Sequence, residues 1–159
     1  MAQGDAELEE LYQEVLLDYY RSGSHKGRLP KPDFSSHGIN PVCGDEIELT
    51  MTRDAAGNIA KIRFDGHGCV ISQASSAMMA EALEGRSAAR ARELAAAFKD
   101  AMLSKAPIEG LPEELEAVKS MEGVRRFPLR VKCATLAWNT LLQGLAAPEA
   151  RAAEYQETE

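Results

Sequence analysis

Along the N-terminal segment from residue 6 to about residue 22, Leu8, Leu11, Tyr12, Val15, Leu16 and Tyr19 return at spacings of three and four, with Glu7, Glu9, Glu10, Glu14 and Asp18 between them. That period predicts an amphipathic first helix. Gly23, Gly27, Pro30, Pro32 and Gly38 then interrupt any regular pattern, so residues 22–42 read as a long loop, the kind that in a compact domain carries function or moves. Ile47, Leu49 and Met51 next alternate with Glu46, Glu48, Thr50 and Thr52. The turn chemistry of Asp54 to Asn58 follows, and Ile62 and Phe64 resume the alternation, which predicts a hairpin with one buried face. Beyond the break at Asp65-Gly66-His67-Gly68, Cys69-Val70-Ile71 reads as a short third strand.

The second half of the chain has a helical period. Ser72 is placed to cap a helix running to about Glu84 with Ala74, Met78 and Ala82 inward, and Gly85 to end it. Ser87 caps the next, whose stripe is Ala91, Leu94, Phe98, Ala101 and Met102, with Pro107 and Gly110 as stops. Pro112 suits the first turn of a short helix containing Leu115 and Val118. Pro128 opens a last helix to about Leu145, and the tail from Ala147 is polar, alanine-rich and expected to fray. Strands with one dry face need helices to cover them, so the fold class is α+β: a three-stranded antiparallel sheet covered by helices. One domain spanning residues 1–159 is expected, with an ordered core over about 6–146.

Composition narrows the partners. A formal net charge of -7 disfavours phosphate backbones, so no nucleic-acid partner is expected. No apolar run approaches the roughly 20 residues that span a bilayer, and the N-terminus is acidic where a secretory signal is basic. The expectation is a cytoplasmic protein without a membrane partner. Three cysteines, odd in number and widely spaced, suit metal or sulfur chemistry better than a disulfide framework.

Pro41-Val42-Cys43-Gly44-Asp45 holds a thiol and a carboxylate two residues apart across a glycine. In extended backbone both project to one side, and Gly44 lets the chain bend closely. With Cys69 and Cys133, Cys43 and Asp45 offer three sulfurs and one oxygen, a tetrahedral set for zinc. Cys69 lies just before a helix start, and Cys133 is expected in the first turn of another, where the dipole favours thiolate. The plainer reading of each is a small buried hydrophobe, and of Asp45 a turn residue accepting backbone N–H groups. Three thiolates, one carboxylate and a divalent ion sum to about -2, which favours nearby cations. Lys132, Arg125, Arg126 and Arg130 are the local supply. His67, between two glycines, and His25 and His37 in the loop are weaker ligand candidates, and Trp138 is most simply core.

Three segments, Asn40 to Asp45, Phe64 to Met79 and Arg130 to Trp138, together with Leu11 to Tyr20, resemble the IscU/NifU-like family of iron-sulfur cluster assembly proteins from about residue 8 to 145. Lys132 stands where scaffold-type members carry a histidine, and the stretch from Gly85 to Glu122 is longer, as in the family's SufU branch. That resemblance implies an IscU/SufU-like fold with zinc held by Cys43, Asp45, Cys69 and Cys133. It also implies sulfur transfer from the cysteine desulfurase SufS and work alongside downstream SUF assembly proteins. Cys43 would be the catalytic sulfur acceptor, freed when a desulfurase histidine takes its place on the metal, with Gly44 as its hinge and Lys132 and Arg125 supporting. The alternative is a scaffold that assembles a labile [2Fe-2S] cluster on the same thiols, since soft thiolates suit both. A zinc hydrolase would need an open coordination position and a general base, which four protein ligands do not leave.

Overall fold

The computed structural model describes residues 13–146 and 152–157. Residues 13–21 are helical (α1), and the expected start of that helix at residue 6 lies outside the described residues. Four strands follow in one sheet: β1 (Phe34–Asn40), β2 (Asp45–Arg53), β3 (Ile59–His67) and, from the tail, β4 (Ala152–Gln156), ordered β3-β2-β1-β4. The helices are α2 (Val70–Leu83), α3 (Ala88–Met102) and α4 (Pro128–Ala146), with 3-10 turns at Ile108–Gly110 and Glu113–Arg126, the latter kinked at Leu115.

The fold is α+β as the patterning implies, with the sheet corrected from three strands to four. The predicted hairpin is β2 and β3, paired antiparallel with Leu49 opposite Phe64, and its turn is tied by Asp54 Oδ1, which accepts from the Ala56 and Asn58 amides. Part of the expected 22–42 loop is instead β1, antiparallel to β2. Its buried positions are Phe34, Ser36, Gly38 and Asn40, an alternation made mostly of small and polar residues. These positions face α4: Ser36 Oγ donates to the Thr140 carbonyl at 2.7 Å, and a Cβ on Gly38 would stand 1.9 Å from Thr140 Oγ1. The tail expected to fray contains β4, which pairs in parallel with β1 from Ser35 to Ile39.

Cys69-Val70-Ile71 is not a strand. Cys69 is extended and caps α2 in place of Ser72, its sulfur accepting the Ser72 amide at 3.5 Å, so the helix begins at Val70. Ser87 caps α3 as expected, accepting the Arg90 amide. That helix stops earlier than the prolines suggest, because Ser104 turns left-handed with φ 59°. Between α2, α3 and α4, Trp138 stacks on Phe98 at 4.2 Å between centroids and donates to Ser75 Oγ, which in turn donates to the Ala134 carbonyl. This satisfied indole is core, as its position in the pattern implies. Among the described residues no helix is long and apolar enough to cross a membrane.

Candidate metal centre

Three separate elements converge at one end of the sheet. β1 ends at Asn40, the chain turns through Pro41 to Gly44, and β2 starts at Asp45. The turn is closed by the Gly44 amide donating to the Asn40 carbonyl at 2.9 Å, with Gly44 at φ 72°, a conformation that side chains resist. This geometry leaves Cys43 exposed at the tip and drops Asp45 into the interior at 2% exposure. The chain between β3 and α2 brings Cys69, and α4 brings Cys133, which is fully buried. α4 begins at Pro128 as the sequence implies, and Cys133, its sixth residue, lies in the second turn and not the first.

The ligand atoms of Cys43, Asp45 and Cys133 all lie within 4.8 Å of one another. Cys69 lies electrostatically next to the Cys133 thiol, but its sulfur is not among the three atoms that are all within that distance. Asp45 is held by one oxygen only: Oδ1 accepts the Cys69 amide at 3.0 Å. Gly68 makes that approach fit, because a Cβ there would stand 2.7 Å from Asp45 Oδ1 and 2.3 Å from Ser72 Oγ. Asp45 Oδ2 is buried and has no protein partner, and the same is true of Asn40 Oδ1. A buried carboxylate oxygen without a donor is costly to keep, and a cation at the thiols would satisfy it. Three soft sulfurs and one hard oxygen on the interior side of an exposed turn fit zinc by donor chemistry.

The thiols are electrostatically unequal. Hydrogen bonding from Cys133, opposed by partial burial and reinforced by the Ser72 amide, brings Cys69 down to about 5. Cys133, whose proton is held by Cys69 and whose burial penalises charge, moves strongly upward. Arg130 stands at this pair: the Cys69 and then the Cys133 sulfur hold its guanidinium in the charged form. Each thiol segment also carries an exposed apolar neighbour, Val42, Val70 and Leu129.

The basic residues weighed from the sequence therefore divide. Arg130 is at the thiols, whereas Arg125 donates to Ser104 Oγ at 3.2 Å and lines, with Lys132, a different cleft. The signal for Arg130 is spacing: on a helix it lies three residues before Cys133 and so shares its face, and Lys132 is turned about 100° away. His67 is brought to the outer face of the sheet, 3.2 Å from Glu46, where His37 also pairs at 2.6 Å. His25 faces Glu84. None of the histidines joins the ligand group among the described residues.

Comparison with known proteins gives the family. The family model described as NifU-like N terminal domain matches residues 11–154. A Bacillus subtilis protein named zinc-dependent sulfurtransferase SufU is 38% identical over 146 residues, covering 91% of this chain and 96% of that one. A Streptococcus pyogenes protein named iron-sulfur cluster assembly scaffold protein IscU is 37% identical over 140 residues, covering 88% of this chain and 86% of that one. The crystal structure of a SUF-system assembly scaffold protein from Fervidobacterium islandicum superposes with a TM-score of 0.75 at 32% identity, covering 83% of this chain and 94% of that one. The chain thus belongs to the NifU-like N-terminal domain family, in its SufU- and IscU-like part.

Proposed function

We propose that this protein is a cytoplasmic zinc-dependent sulfurtransferase of iron-sulfur cluster assembly, accepting sulfur from a SufS-like cysteine desulfurase. The observation that carries the reading is the contrast within one ligand group: an exposed Cys43 on a glycine-hinged turn, within 4.8 Å of a buried carboxylate and a buried thiol. Cys43, Asp45, Cys69 and Cys133 would hold the ion, which when bound supplies a positive centre that keeps the thiols deprotonated. Asp45 and Cys133 are fixed from within the fold; Cys43 is the member a second protein can reach. Arg130 offsets the negative charge of the group from the same helix face as Cys133.

In the transfer, the Cys43 thiolate attacks the outer sulfur of the desulfurase persulfide. The bond between the two partner sulfurs breaks, the desulfurase cysteine leaves as thiolate, and Cys43 carries the persulfide. No external oxidant or reductant is required. Val42, Val70 and Leu129 give the rim an apolar surface on which a partner can close and exclude water during that step. The persulfide sulfur then passes to downstream SUF assembly proteins.

Scaffold function on the same ligands is the second reading, favoured by the relative named IscU at 37% identity. Elemental analysis and a visible spectrum of anaerobically purified protein separate the two. One equivalent of zinc, no visible absorbance and faster desulfurase turnover are expected, with the stimulation and the persulfide on this chain both lost in Cys43→Ala. Iron and sulfide that pass together to an apo-acceptor would establish the scaffold instead, and sulfur loading that survives Cys43→Ala would remove Cys43 as the acceptor.

A further inference from the structure

A cleft of about 420 Å³ lies between α3, the Glu113–Arg126 turns, α4 and the tail strand, and none of the four candidate metal ligands lines it. Its α4 wall is the stripe Pro128, Val131, Lys132, Thr135 and Asn139, one helix face beginning at the positive end of the dipole. Lys99 and Arg125 face it from the other elements, so three cations meet one carboxylate, Glu157, in a chain whose net charge is -7. Glu157 accepts from the Asn139 amide at 3.4 Å. Neither Lys99 nor Arg125 forms an ion pair among the described residues, and Arg125 Nε is buried without an acceptor.

The backbone around Arg125 is specialised as well. Ser104 is the one non-glycine residue with positive φ among the described residues, at the end of α3 where glycine is the usual choice, and its hydroxyl accepts from Arg125 Nη2. The strain is retained together with a group that orients the guanidinium. Tyr155 remains a hydroxyl donor at the tail wall, since burial and Glu157 push its pKa up to about 12. Met102, Leu103 and Val131 supply an apolar floor. A concave, largely apolar site of this volume with a few convergent polar groups suits a small molecule better than a flat protein surface does.

We propose that this cleft binds a small organic anion, a carboxylate or phosphate on a short apolar body, with Arg125 and Lys99 holding the charged head. The test is titration of the zinc-loaded full chain with phenyl phosphate, benzoate and inorganic phosphate, followed by amide chemical shifts at constant ionic strength. Saturable shifts confined to the surroundings of Lys99, Ser104, Arg125 and Thr135 are expected. Saturation by phenyl phosphate or benzoate identifies the head group, and inorganic phosphate should bind about tenfold more weakly for lack of the apolar body. Arg125→Gln should weaken binding by about tenfold or more, with zinc stoichiometry unchanged. Lys99→Gln, on the partly exposed face of α3, gives the same answer should the Arg125 variant not fold. Shifts that stay linear and are matched by sodium chloride, that centre on the thiol loops, or that survive both substitutions would overturn the assignment.

Discussion

Gly68→Ala tests the architecture of the proposed metal centre without removing a candidate ligand. The new Cβ would stand 2.3 Å from Ser72 Oγ, 2.7 Å from Asp45 Oδ1 and 3.2 Å from Asp45 Cγ. The serine hydroxyl can rotate away, giving up its 3.0 Å bond to the Cys69 carbonyl. The carboxylate has less freedom, because Asp45 is buried and starts β2, so relieving the contact pulls Oδ1 off the Cys69 amide now 3.0 Å away. Hydrogen bonds to a charged group contribute about 1.5–3 kcal/mol, which corresponds to roughly a tenfold to hundredfold loss of zinc affinity when that bond aims the ligand. Competition with a chelating dye measures it. Gly68→Ala in an Asp45→Ala background should add little further loss, since the atom it strikes is gone, while Ser72→Ala should restore only part of the single variant's affinity. Wild-type zinc affinity in Gly68→Ala, or full additivity with Asp45→Ala, would refute the claim that this glycine exists to admit the carboxylate.

Gly38→Ala should destabilise the β1–α4 seam by about 1–3 kcal/mol in urea denaturation, because the methyl meets Thr140 Oγ1 at 1.9 Å; Thr140→Ala in the same chain should recover much of that. Glu84 is partly buried, which opposes ionisation, yet the Ile62 amide and Arg63, at 2.9 and 2.8 Å, with His25, draw its carboxyl below the ordinary 4.5. Its stabilisation is therefore present above that value and lost as pH falls through the lowered one, so the stability gap between wild type and Glu84→Gln in thermal melts should be present at pH 7 and shrink as pH falls below 4.5.

Legibility followed the scarcity and the period of the residues involved. With only three thiols in the chain, Cys43, Cys69 and Cys133 were candidates before any fold was known, and the alternation at Ile47, Leu49 and Met51 marked β2 because its buried side is apolar. β1 has the same period, but after Phe34 its interior positions are serine, glycine and asparagine, suited to close approach to α4. Hydrophobicity cannot report a strand whose buried face is small and polar. β4 was hidden for a related reason: a polar, alanine-rich segment becomes a strand only because β1 offers it an edge. At Cys69 the misreading came from the side chain itself, since a thiol standing as a helix cap has no weight in capping preferences led by serine and aspartate. Arg125 and Arg130 look alike as nearby charge; the helix expected from Pro128 is enough to put Arg130 on the Cys133 face, whereas the Arg125 contact with Ser104 depends on the left-handed turn after α3, which no pattern announces.

Under the proposed function, the same construction explains why Cys43, and not one of its companions, would be the exposed ligand. Cys69 is committed twice, as the cap of α2 and as the amide donor to Asp45, so moving it would loosen both a helix start and the carboxylate. Cys133 is locked in the interior of α4, its thiol donating to the Leu129 carbonyl and accepting from the Asn40 side-chain amide. Cys43 has neither duty: its turn is held by the Gly44 to Asn40 hydrogen bond behind it, and the residue is exposed at the tip. A group that would have to leave the metal and return under the proposed transfer is best drawn from the segment whose departure breaks the fewest native contacts. By that criterion the chain offers one candidate, and it is the thiol next to the glycine with φ 72°.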